Sequence, residues 1–173
     1  NAPLTCFIIQ RGTPESAKYE LFGRLNQGAT PLNFQEIRNA LFLGSGLTLV
    51  RDLASEGSRF RQVAGPHRSY DRRRADELVL RGLSFLWKGW EGSGYKGDLQ
   101  VFLNDCLTKL NGSQEADLQS LRARFLRALD IVQQVFGDRA FQRFDPERGQ
   151  FAGHVSGPLV EVEIAVLGRR YEQ

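Results

Sequence analysis

Apolar side chains recur every third or fourth position along most of this chain, the spacing that gives a helix one buried stripe. The clearest stripe runs from Gln114 to Phe136, through Leu118, Leu121, Phe125, Ala128, Leu129, Val132 and Val135, and Gly137 stands where such a helix should stop. Leu99, Phe102, Leu103, Cys106, Leu107 and Leu110 keep the same spacing behind a capping Asp98 and ahead of Asn111-Gly112. Between Asp71, read as a cap, and Lys88, the residues Leu78, Val79, Leu83, Phe85, Leu86 and Trp87 cover a wide arc. That helix is expected at the centre of the fold. After the break at Gly44-Ser45-Gly46, a short helix is predicted over Leu47–Ser55, with Leu47, Val50 and Leu53 inward.

The first forty residues are more mixed. Leu4–Ile9 is rich in β-branched and aromatic residues and predicts one strand. Thr13-Pro14 opens a helix with Ala17, Leu21, Phe22 and Leu25 as its stripe, and Asn26-Gln27-Gly28 closes it, Gly28 suiting a left-handed cap. Asn33 caps the next helix, with Glu36 placed to return a hydrogen bond and Leu32 and Ile37 at staple spacing. Phe34, Ile37 and Leu41 line its apolar face, which leaves Gln35, Arg38 and Asn39 for another surface. Residues 56–70, 90–97 and 145–157 predict loops, and Arg139–Phe144 a helical turn. Pro158–Tyr171 reads both ways, as a strand by its alternating valines and as a helix by Pro158, Glu161 and Glu163. The predicted fold class is mainly α, a multi-helix bundle with a short β edge at the N-terminus. It divides into residues 1–30, strand plus helix, and a helical domain over 31–173.

Composition narrows the classes. At 173 residues, with 41% hydrophobic and 25% charged positions, the chain suits one soluble globular domain. No apolar run approaches the ~20 residues that span a bilayer, and Leu4–Ile9 is too short and lacks the basic leader of a signal peptide. Cys6 and Cys106 lack ligand-type spacing and read as buried thiols of a cytoplasmic protein. The formal charge is +3 with arginine in excess, a balance that permits nucleic-acid binding. There is no methionine, and Asn1-Ala2 has the look of a tag remnant, so the native start is expected upstream.

Phe22-x-Arg24-Leu25-Asn26-x-Gly28, followed by Leu32-x-x-Gln35-Glu36-Ile37-Arg38-Asn39-Ala40-Leu41, resembles the signature of ParB-like domains of the ParB/sulfiredoxin superfamily. The nearest likeness is to the N-terminal domain of GmrSD-type, modification-dependent restriction endonucleases and related phage-defence proteins. Asp76-Glu77-Leu78-Val79-Leu80-Arg81-x-Leu83-x-Phe85 and Phe102-Leu103-Asn104-Asp105 resemble the helical segments that follow in that family. The resemblance tips Pro158–Tyr171 to a helix. The family's Asp-Gly-Gln-Gln-Arg motif, to which its nucleotide or nuclease chemistry is attributed, is absent. The resemblance therefore implies the C-terminal, mostly helical portion of such a domain, non-catalytic by itself. It implies further that the full-length protein is a nucleotide-dependent, modification-dependent endonuclease. Nucleotide and divalent metal would then belong to that longer protein, with none in this chain. The implied partners are DNA, the upstream ParB-like core, a separate nuclease domain or subunit, and a second copy of the chain in a homo-oligomer.

Two groups of residues can carry chemistry. Phe22, Arg24, Asn26, Gly28, Gln35, Arg38 and Asn39 belong to the signature. In one reading Asn26 orients a phosphate or carboxylate and Arg24 or Arg38 neutralises charge. In the other, Asn26 caps a helix and the rest are structural; Glu36 is already explained as a capping residue. The second group is the basic stretch 59–74, with Arg59, Arg61, His67, Arg68, Arg72, Arg73 and Arg74 against Asp71 alone, and Tyr70 placed to stack on a base. Arginine forks suit phosphate oxygens, but a solvated loop whose arginines pair with Asp76 and Glu77 explains the run equally well. His67 and His154 lack partners at metal-ligand spacing, Ser45 and Ser156 lie in no nucleophile elbow, and the glycines at 89–97 form no phosphate loop. Trp87 and Trp90 suit a core better than a cofactor site. The alternative function is a non-catalytic helical protein–protein interaction module.

Overall fold

The computed structural model of the chain describes residues 8, 10, 12–25, 31–65, 70–88 and 94–170. Among them lie eight α-helices, one 3-10 turn and a two-stranded hairpin. In chain order the helices are α1 (Glu15–Leu25), α2 (Phe34–Leu41), α3 (Ser45–Ala54), α4 (Arg59–Ala64), α5 (Arg74–Lys88), α6 (Leu99–Asn111), α7 (Glu115–Phe136) and α8 (Gly157–Arg170). The 3-10 turn, Gly137–Arg139, follows α7, and the hairpin pairs β1 (Phe144–Asp145) with β2 (Gln150–Phe151). The fold is mainly α, a helical bundle with a small β edge, but the described strands lie near the C-terminus. The strand expected over Leu4–Ile9 and the cap at Asn26-Gln27-Gly28 fall outside the described residues.

The helix at the centre is α5, packed against α2, α3, α6, α7 and α8. Its wide apolar arc is the reason: Leu78, Val79, Leu80, Leu83, Phe85 and Leu86 are all buried. One continuous core joins these to Phe60 of α4, to Leu103 and Leu107 of α6, to Phe125 and Leu129 of α7 and to Ile164 of α8. Phe60 ties α4 to the segment that follows α7, its ring stacked on Phe141 at 6.0 Å. Two helices start as the sequence predicts, with Asn33 and Asp98 each accepting hydrogen bonds from two backbone N–H groups. Glu36 completes the capping box by accepting from the Asn33 N–H at 2.7 Å.

Four expectations are corrected. Residues 56–70 hold a helix, α4, because Ser58 caps it and Phe60, Val63 and Ala64 enter the core. Asp71 does not cap α5, which begins three residues later, after a turn in which Arg72 and Arg73 both have positive φ. Residues 145–157 contain most of the hairpin rather than loop alone. Phe34 is 53% exposed and Val135 58%, so neither belongs to the buried stripe assigned to it. Pro158–Tyr171 resolves in favour of helix through Arg170, with Val160 and Ile164 buried one turn apart. Among the described residues no helix is long and apolar enough to cross a membrane.

Candidate functional site

The signature residues of α2 do not face outward. Gln35, Arg38 and Asn39 are buried, and Arg38 is fully so. A guanidinium taken out of water needs its N–H groups satisfied, and here they are. Arg38 Nε donates to Asn104 Oδ1 at 2.7 Å, and NH1 donates to Gln35 Oε1 at 3.1 Å. Its NH2 donates to both the backbone and the side-chain oxygen of Gln100. Gln35 Nε2 donates to Asn39 Oδ1 at 3.0 Å, and Asn39 Nδ2 passes the chain on to Asp76 Oδ2 at 2.6 Å. Arg51 of α3 donates to the Asn39 carbonyl at 3.1 Å. One polar seam thus binds α2 to α3, α5 and α6.

The seam joins three stretches far apart in sequence, Gln35 to Asn39, Asp76, and Asn104. Asp76, Gln100 and Asn104 were not singled out from the sequence as site residues. Their signal lay in the two downstream stretches, which contain Asp76 and Asn104, while nothing marked Gln100. The other signature residues stand apart. Arg24 reaches back to Glu20 on α1 in an exposed pair at 2.5 Å. Phe22 and Gly23 continue that helix, and Asn26 and Gly28 lie outside the described residues.

The basic stretch is largely occupied by the protein itself. Arg59 Nε meets Asp130 at 2.8 Å, and Arg61 donates to the Ala54 carbonyl at 2.8 Å while its guanidinium covers the Tyr70 ring at 4.9 Å. Arg72 meets Glu36 at 2.7 Å and the Pro31 carbonyl at 2.5 Å. Arg74 meets Glu77 at 3.1 Å, and Arg73 lies 3.9 Å from Asp76. His67 and Arg68 lie outside the described residues. The hydrogen bond from Arg72, with that from the Asn33 backbone, holds the Glu36 carboxyl below its ordinary range, and Glu36 raises Arg72 in turn. The side chains of Arg59, Arg72, Arg73 and Arg74 still keep between 36% and 56% of their surface in water. A surface partner can therefore still reach them.

Three more carboxylates, half-buried Glu77 and Glu161 and buried Glu163, lie against neighbouring elements. Arg81 of α5 bridges Glu77 at 2.6 Å and Glu161 of α8 at 3.0 Å. Burial pushes the Glu77 carboxyl up, but Arg81 and Arg74 outweigh it and hold it below its usual value. Burial wins at Glu161, whose carboxyl is raised. Glu163, on the same helix, accepts from the Phe141 N–H at 3.1 Å, and burial pushes it up to about 7. Among the described residues no group of three or more His, Cys, Asp and Glu side chains is placed to hold a metal ion. No family model, curated protein or solved structure matches the chain.

Proposed function

We propose that this chain is the helical portion of a ParB-like domain from a restriction or phage-defence protein of the GmrSD type. It buttresses the catalytic core of that protein and helps hold DNA through residues 59–74. The observation that supports the reading is the polar seam. Three resembling stretches far apart in sequence meet side chain to side chain, Arg38 with Asn104 and Asn39 with Asp76. On this reading Gln35, Arg38 and Asn39 keep α2 in place, and the nucleotide, the metal and the Asp-Gly-Gln-Gln-Arg chemistry belong to the core it supports.

The test has two parts. The purified chain should neither hydrolyse nucleotides nor cut DNA; activity that Asn26→Ala abolishes would promote the signature junction to an active site. Arg59→Glu with Arg73→Glu should weaken duplex DNA retention and lower the salt slope by roughly 0.9 for each phosphate no longer neutralised. Arg73 makes only a 3.9 Å approach to Asp76, and Arg59 pairs with an exposed Asp130, whereas Glu36 and Glu77, which hold Arg72 and Arg74, are largely buried. Unchanged retention favours a second reading, a helical protein–protein interaction module. That reading is supported by the internal pairing of Arg59, Arg72 and Arg74.

A further inference from the structure

The hairpin of β1 and β2 carries surface chemistry that neither the seam nor the 59–74 stretch explains. Phe144 and Phe151 are cross-strand partners whose rings meet edge to face at 5.2 Å. That pairing steadies a ladder too short to stand alone. It does not bury the rings, for Phe144 stays 50% exposed and Phe151 38%. Arg139 lays its guanidinium over Phe151 at 5.2 Å. Two hollows flank the hairpin. One, of about 260 Å³, is lined by Phe151, Arg143, Asp145, Arg148 and His154 among others; the second, of about 410 Å³, is lined by Arg143, Phe144, Asp145, Pro146 and Glu147.

Arg143 borders both hollows. Its guanidinium has no hydrogen bond or ion pair among the described residues, although carboxylates are near. Asp145 Oδ1 is taken by the backbone N–H groups of Glu147 and Arg148, at 3.0 and 3.2 Å, and its other oxygen faces Arg148 at 3.8 Å. A free guanidinium at the edge of two hollows, each bordered by a half-exposed aromatic ring, matches a flat ring attached to an anion. We propose that this hairpin binds an unpaired nucleotide of a DNA strand, its base stacked on Phe144 or Phe151 and its phosphate held by Arg143.

A base can offer its face to a side chain only when it is out of the helical stack, which favours single strands over duplex. Arginine supplies the planar fork that phosphate oxygens accept. Position argues the same way. The 3-10 turn from which the hairpin springs packs against α4, which carries Arg59 and Arg61. The choice of DNA rests on the function proposed above; the rings, the hollows and the free guanidinium do not.

Binding of a fluorescent oligo-dT to the whole chain, followed by anisotropy over a range of salt, tests this. Phe144→Leu with Phe151→Leu keeps the apolar bulk and should weaken binding roughly tenfold or more, while tyrosine at both positions should preserve it. Arg143→Ala, which breaks no hydrogen bond of the fold, should weaken binding and lower the salt slope by about 0.7. A blunt duplex of equal length should be insensitive to the ring substitutions. Oligo-dT binding that survives both the leucine pair and Arg143→Ala overturns the hairpin site. If Arg59→Glu with Arg73→Glu then abolishes that binding, the 59–74 reading stands alone. If it does not, both fail. Loss in the hairpin variants with no loss in the 59/73 variant keeps the hairpin and removes the other surface. Tighter, equally ring-dependent binding of oligo-U replaces DNA by RNA and overturns the choice of strand.

Discussion

Arg72 and Arg73 share a left-handed backbone that costs an L-residue about 1–2 kcal/mol each, but their compensation differs. Arg72 holds Glu36 and the Pro31 carbonyl, and its own carbonyl accepts from Asn33 Nδ2 at 2.7 Å. Arg73 has only the 3.9 Å approach to Asp76. Arg73→Gly should therefore leave stability unchanged or raise it by roughly 0.5 kcal/mol, relief of strain exceeding the entropy a glycine adds to the unfolded chain. Arg72→Gly should lower stability by about 1 kcal/mol through the missing hydrogen bonds. Urea denaturation of both variants decides it, and a less stable Arg73→Gly would remove the argument. Glu163 makes a pH prediction. Its carboxyl, raised to about 7 in the fold from 4.5, binds a proton that the unfolded chain gives up. Its contribution is full below pH 4.5 and is lost as the pH climbs to about 7, by at most about 3 kcal/mol. Glu163→Gln should flatten that slope and stabilise the protein above neutrality. A melting profile that keeps the wild-type slope would show that another group causes it.

At the scale of elements, helices approach where side chains are absent. Gly46 of α3 faces α6 so closely that a Cβ there would lie 2.6 Å from Leu110 Cβ and 2.8 Å from the Asn111 backbone nitrogen. Backbone cannot step aside. Gly46→Ala should cost about 1–3 kcal/mol by overpacking, although alanine is the better helix former. Gly23 of α1 makes the opposite case, with open space where its Cβ would sit. Gly23→Ala should gain up to about 1 kcal/mol of local helix stability. One chemical change, two signs: thermal unfolding of the Gly46 variant and hydrogen exchange along α1 for the Gly23 variant would read them separately. The α3–α6 interface has a second fastening in Asn111, whose side chain donates to the Phe42 carbonyl at 3.0 Å and accepts from the Leu47 N–H at 3.1 Å. It caps α3 from another helix, the role that Gly44 lacks a side chain to fill.

Over the whole molecule, periodicity was enough to find the long helices, because Leu103, Leu107 and Leu110 or Leu121, Phe125 and Leu129 obey it without exception. It failed at α4, whose six residues are too few to show a period. It also misplaced the start of α5, since nothing about Arg72 and Arg73 marks a left-handed turn that glycine or asparagine would advertise. Of the candidate site, Gln35, Arg38 and Asn39 were legible as residues, but not their orientation, nor their partner Gln100. Polar residues on a short helix read as surface, and Arg38 meets Asn104 only across 66 positions of sequence. Pairing at that range leaves no local trace. The basic stretch was legible as charge, whereas Glu36 and Asp130, which occupy Arg72 and Arg59, lie on other helices.

The seam around Arg38 has one further consequence. A helix docked by oil alone can roll or slip at little cost, but α2 must satisfy Gln100, Asn104 and Asp76 together or leave buried groups dry of partners. Partial docking is thereby made costly, so α2 behaves as a latch that is either shut or open. Since α1 packs on α2, the latch releases both. In Arg38→Ala, amides of α1 and α2 should exchange as one early unit while α5 to α8 keep their protection. Uniform loss of protection would mean that the latch is simply part of the wall.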